Sequence, residues 1–431
     1  MIDRNALRAR FARALSRMYH HEVPAYGTLV SLVEDVNTAT LERDAGLRER
    51  LAAVDGLDRI SEERHGAIRL GTAAELHGMG RLFAGFGMEP VGYYDLGVAG
   101  IPVHSTAFRP TTNDDLSISP FRVFTSLLRM EAIADAELRQ AAEGTLGQRS
   151  IFHGRTLELA DRSARENGLP EREADELIDG AIETFRWRRK ATVGAQTYAA
   201  LKDAHALIAD VVSFEGPHIN HLTPRTLDID AVQAGMPERG VRPKAVVEGP
   251  PSREVPILLR QTSFKAIEES VVFQDGTAGL HTARFGEVEQ RGAALTPKGR
   301  ALYDRLLAEA RERVRPAPDG SNADEYCTAL TETFAAFPDD AERMRMEGLA
   351  YFHHHADGTA TPIVYEDFLP VSAAGIFQSN LGDEVTDLSV RSARSSFETA
   401  LGRPVADEFA LYAAMERRSL DATGGMGKLT A

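Results

Sequence analysis

The feature that most constrains this 431-residue chain is a pattern that occurs twice. In its first occurrence RHGAIRL (64–70) reads as a short strand, and TAAELHGMGRLFAGFG (72–87) reads as a helix. Thr72 opens that helix with Glu75 at the capping-box spacing. VGYYDL (91–96) and PVHSTAFRP (102–110) follow as strands, with GVAG as the turn between them. In the second occurrence GPHINHLTPR (216–225) is a strand and DIDAVQAGMPERG (228–240) a helix begun by Asp228. VPILLRQTSFKA (255–266) and HTARFGEVEQRG (281–292) are further strands. One such unit cannot bury its sheet alone, so the repetition predicts two modules joined about a shared site.

The remaining sequence has helical periodicity. It divides the chain into an N-terminal helical segment (1–56), a first module (57–116), a helical insertion (117–212), a second module (213–294) and a C-terminal helical region (295–431). Within the insertion, FRVFTSLLRMEAIADAELRQAAEGTL is read as helix and RWRRK (186–190) as a solvated helix face. The expected class is α+β: two βαβββ modules in a curved central sheet around a metal site, with large helical insertions.

Charge and cysteine content narrow the function. Lys plus Arg is 49 and Asp plus Glu is 64, a formal charge of −15, which disfavours binding to a phosphate backbone. The single cysteine, Cys327, excludes an intrachain disulfide and any multi-cysteine metal site, and it is read as a small core residue in a helix. The charged N-terminal helix lacks the apolar stretch of a signal peptide, and no apolar run approaches the roughly 18–20 residues of a membrane span. A cytoplasmic protein is expected, without membrane or nucleic-acid partner; nothing in the sequence fixes an oligomeric state.

Side chains alternate along a strand, so His65, Ala67 and Arg69 share one face of RHGAIRL. A small carboxylate ligand can bridge a metal on His65 and the guanidinium of Arg69, whose fork binds carboxylate through two hydrogen bonds. His218 and His221 are three residues apart, so only one of them can face inward with the same strand. On the last strand Phe285, Glu287, Glu289 and Arg291 share a face, and periodicity does not choose between the two glutamates. Two histidines and one carboxylate leave three open metal positions, which suits non-haem Fe(II) with a chelating substrate and dioxygen.

RHGAIRL, GPHINHLTPRTLDID, FGEVEQRG and YEDFLPVSAAGIFQSNLG (365–382) together resemble the 2-oxoadipate dioxygenase/decarboxylase family, over most of the chain. The resemblance implies a vicinal-oxygen-chelate-like core. It also implies an Fe(II) enzyme converting 2-oxoadipate and dioxygen to 2-hydroxyglutarate and carbon dioxide in lysine breakdown. It places the metal ligands on His65, His221 and Glu289 and the substrate-binding arginine, the catalytic positioning group, on Arg69. His65 and His221 would also meet the substrate, and Val371 and Ser372, in a substrate loop over 366–382, would contact its carboxylate. The other readings are a metal-dependent isomerase or lyase of the same superfamily and a non-catalytic dicarboxylate-binding protein.

Overall fold

The computed structural model describes residues 1–54, 56–317, 319–369 and 390–424. The N-terminal segment forms helices α1 (Arg4–Glu22) and α2 (Pro24–Arg43). The first module is β1 (Arg64–Leu70), α3 (Ala73–Gly85), β2 (Glu89–Asp95), β3 (Val103–Arg109) and β4 (Arg122–Leu128). At the start of α3 the Thr72 hydroxyl accepts from the Glu75 N–H, and the Glu75 carboxylate accepts from the N–H groups of Gly71 and Thr72. A cap of this kind contributes about 1 kcal/mol.

The second module is β5 (His221–Pro224), α4 (Ile229–Gly235), β6 (Leu259–Ser263), β7 (Glu268–Val272), β8 (Ala278–Thr282) and β9 (Glu287–Arg291). Asp228 caps α4 by accepting from the Ala231 N–H, as its sequence predicts.

The strands β2-β3-β4-β1-β5 form one sheet in that order. β1 runs parallel to β4, with His65 opposite Arg122, and antiparallel to β5, with Ala67 opposite His221. A parallel bridge from Arg225 to Glu289 carries the sheet on to β9, which pairs antiparallel with β6. Each module therefore sets its first strand beside its last, and the two first strands meet at the centre. β7 and β8 form a separate hairpin.

One stretch differs from its sequence reading. FRVFTSLL is strand β4, the closing strand of the first module, and not part of a helix. Every residue of β4 is buried, so its apolar run lacks the alternation that marks a half-exposed strand. RWRRK is extended chain beyond the helix Glu171–Thr184, with Arg186 3.0 Å from Glu183 and Arg189 donating to the Ser270 carbonyl at 3.2 Å. Cys327 lies on the exposed side of the helix Ala323–Phe334, whose inward positions are Tyr326, Ala329, Leu330 and Thr333. The Val371–Ser372 loop positions fall outside the described residues.

The two faces of β1 serve different ends. Ile68 and Leu70 join a core with Phe11, Phe83, Phe86 and Phe108 beneath α1 and α3. Full burial of each such side chain contributes about 1.5–3 kcal/mol. Ala67, on the other face, packs with Phe124 and Phe368 beside His65. No described helix is long and apolar enough to cross a membrane.

Candidate metal centre

Three strands deliver the histidines and carboxylates. His65 comes from β1, His221 opens β5, and Glu287 and Glu289 lie on β9. All four side chains are fully buried. Gly286 lets β9 enter the site, because a Cβ there would lie 2.2 Å from the ring of Phe264.

His65, His221 and Glu287 each offer a ligand atom within 4.8 Å of the others. Glu287 Oε1 is 3.2 Å from His65 Nε2 and 4.0 Å from His221 Nε2. Gln261 and Thr223 donate to that same oxygen at 2.9 and 3.2 Å and fix its direction. Glu289 stands on the other side of the His65 ring, 3.0 Å from Nδ1, and the Arg291 fork holds both its oxygens at 2.7 and 2.9 Å. The structure thus gathers Glu287 with the two histidines and sets Glu289, the carboxylate implied by resemblance, behind His65.

The polar atoms left over fit a cation. Among the described residues, all four ring nitrogens of His65 and His221, and Glu287 Oε2, are buried without a well-formed hydrogen bond. An orphaned buried polar atom costs about 1–3 kcal/mol, and a bound metal would satisfy several at once. Nitrogen and carboxylate donors in this number suit a first-row divalent ion.

Electrostatics separate the roles. Burial raises the Glu289 carboxyl, but Arg291, His65 and Arg122 outweigh it and hold the pKa at about 2. Glu287 is pushed upward, chiefly by burial. Burial opposes protonation of His65, yet Glu289 and Glu287 overcome it and raise its pKa. His221 is driven well down by burial, then by His65 and Arg69, and so keeps a neutral ring with a free lone pair.

Arg69 lies on the same face of β1, four residues along, as its spacing predicts. Its Nη1 is 2.7 Å from Asp210 Oδ2. His218 stands apart from the triangle, its Nε2 3.1 Å from Asp210 Oδ1. Apolar rings line the site: Phe368 meets the edge of His65 at 4.9 Å and Phe285 packs on His221 at 4.6 Å.

Sequence reasoning missed the ionic frame around these groups. Glu63 lies 2.7 Å from Arg122, 2.8 Å from Arg225 and 3.2 Å from Arg291. Glu366 bonds Arg59 at 2.5 Å and also Arg122, while Asp367 is gripped by Arg109 at 2.7 and 3.0 Å. This ties the opening residues of the expected substrate loop to β3 and β4. Only the clustering of these charges beside the strand motifs hints at it in the sequence.

Comparison with known proteins decides the family. The model of the 2-oxoadipate dioxygenase/decarboxylase family matches residues 11–380. The chain belongs to the 2-oxoadipate dioxygenase/decarboxylase family. It is accordingly an enzyme. A Pseudomonas putida protein of that name is 53% identical over 98% of this chain and 97% of its own length. The Escherichia coli protein is also 53% identical, covering 97% and 98%. The crystal structure of the Pseudomonas putida hydroxyglutarate synthase in complex with 2-oxoadipate matches with a TM-score of 0.91 and 51% identity, covering 99% of this chain and 98% of that one.

Proposed function

We propose that this family member is an Fe(II)-dependent enzyme that converts 2-oxoadipate and dioxygen to 2-hydroxyglutarate and carbon dioxide. The observation that carries the reading is the buried triangle of His65, His221 and Glu287 in a chain that matches, nearly end to end, a synthase crystallised with 2-oxoadipate. The reaction balances: one oxygen atom enters the new carboxylate, and the other becomes the hydroxyl beside it.

His65 and His221 would hold the iron through neutral ring nitrogens. The spacing supports Glu287 as the third ligand in place of Glu289. Glu289, 3.0 Å from His65 Nδ1, would then favour the proton on that nitrogen and leave Nε2 as the donor atom. When bound, Fe(II) would supply the redox chemistry toward a 2-oxo acid and dioxygen that the side chains lack. Arg69 binds the distal carboxylate through its fork and holds the substrate chain in one orientation, which is positioning work. Phe368, Phe285 and Phe124 keep water from the reacting carbons. Val371 and Ser372 are proposed to complete the substrate pocket. Its anionic substrate makes the local positive charge necessary in a chain of net charge −15.

The reading is tested by mixing Fe(II)-loaded protein with 2-oxoadipate without oxygen. A weak visible charge-transfer band is expected in the native chain and none in His65→Ala. No band in the native protein with full iron occupancy would remove the chelate at the centre of the proposal.

A further inference from the structure

A second polar cluster lies behind Arg69, with Asp210 as its hub. Asp210 Oδ1 accepts from His281 Nε2 at 2.9 Å and lies 3.1 Å from His218 Nε2. Oδ2 accepts from Arg69 Nη1 at 2.7 Å and from Asn220 Nδ2 at 3.3 Å. The far nitrogen of His281 accepts from the Tyr198 hydroxyl at 2.9 Å, which sets Nε2 as the protonated one. Trp187 closes the outside, stacked on His281 at 5.7 Å and edge-on to His218 at 4.6 Å. Asp210, His218 and His281 are all buried.

Two histidines and a carboxylate at this spacing could also suggest a second metal site. The hydrogen bonds argue otherwise. Among the described residues the Asp210 carboxylate accepts three hydrogen bonds, from His281, Arg69 and Asn220, with His218 Nε2 3.1 Å from Oδ1, and Arg69 is the arginine it holds. With both oxygens engaged, the carboxylate is a rigid anchor for a guanidinium. Arg69 reaches the hub from the same strand face as His65, two residues beyond Ala67. A long, flexible side chain gains most from such an anchor, since Arg otherwise loses much rotamer freedom when it is fixed.

We propose that Asp210, held in turn by His281 and Tyr198, is the positioning residue for Arg69 and sets the chain length of the diacid that the enzyme accepts. The distance from the metal to the guanidinium is a ruler: a fixed Arg69 meets the distal carboxylate of one chain length and misses the next. This inference rests on the proposed role of Arg69 as the clamp for that carboxylate.

The test compares KM and kcat for 2-oxoadipate and for its five-carbon homologue 2-oxoglutarate, in iron-loaded native protein, Asp210→Asn, Asp210→Glu, Tyr198→Phe and Arg69→Lys. For Asp210→Asn a roughly tenfold rise in KM for 2-oxoadipate is expected, with kcat less affected and iron content unchanged. The preference for 2-oxoadipate over 2-oxoglutarate should fall by a similar factor. Asp210→Glu, which keeps the charge but lengthens the anchor, should recover affinity while altering the length preference. If Asp210→Asn does not fold, Tyr198→Phe decides, with a smaller fall in the same preference supporting the role. An unchanged length preference in a folded variant overturns the proposal, as does a second equivalent of metal in the native protein that Asp210→Asn loses. If Arg69→Lys itself leaves KM unchanged, the clamp role fails and not only the anchor.

Discussion

Glu289 lies 3.0 Å from Nδ1 of His65, on the opposite side of the ring from the nitrogen that faces Glu287. One imidazole is thus bracketed by two carboxylates with different surroundings. Arg291 occupies both oxygens of Glu289, whereas Oε2 of Glu287 is left without a partner among the described residues.

Glu287→Gln is therefore expected to abolish stoichiometric iron binding, because an amide cannot replace an anionic ligand. Glu289→Gln should weaken iron affinity by about 10–100-fold, as loss of an outer partner of a ligating histidine does. Iron content after equilibrium dialysis reads both. The reverse order would return the ligand role to Glu289.

Metal uptake should depend on pH with a definite sign. In the metal-free protein the two glutamates raise the His65 pKa above its ordinary value of 6.5. The stability contributed by that imidazolium is complete below 6.5 and is lost as pH rises through the raised value. Metal must displace this proton, so affinity should climb with pH until His65 is neutral and then level off. Glu289→Gln should move the levelling point to lower pH. Proton release measured in weak buffer on metal addition checks this, and metal binding without proton release near neutral pH would contradict it.

Glu289 itself gives an acid limb. Its folded pKa of about 2, against 4.5 ordinarily, contributes stability that is present above 4.5 and lost as pH falls toward about 2. Acid-unfolding curves should be shallower in Glu289→Gln, and superimposable curves would show that this carboxylate carries no such linkage.

The arginine frame is a stability element. Arg122→Met leaves Glu63 and Glu366 buried with part of their positive partners gone, and should cost about 3–5 kcal/mol of unfolding free energy. Urea denaturation measures it. A loss below about 1 kcal/mol would mean the remaining arginines compensate.

Much of this architecture is legible in the sequence, for local reasons. The box at Thr72 and Glu75, the cap at Asp228 and the shared face of His65 and Arg69 depend on residues within a few positions of one another. His221 is the nearer histidine of its pair because β5 begins on it, opposite Ala67. β4 was hidden because burial on both faces erases alternation. Periodicity does not separate Glu287 from Glu289 because both lie on one face of β9, and their different surroundings, Arg291 on one and Gln261 on the other, come from side chains that the strand pattern does not place. The hub at Asp210 unites positions 69, 198, 210, 218 and 281, pairings across the fold that leave no local periodic trace.

The central claim is that the chain consumes dioxygen to convert 2-oxoadipate to 2-hydroxyglutarate. It is tested most directly by an oxygen electrode coupled to product analysis, with iron-loaded protein and 2-oxoadipate. The account predicts one dioxygen consumed for each 2-hydroxyglutarate formed, and no turnover under anaerobic conditions. Product formed at full rate without oxygen, or 2-oxoadipate recovered unchanged from the aerobic iron-loaded enzyme, would contradict it.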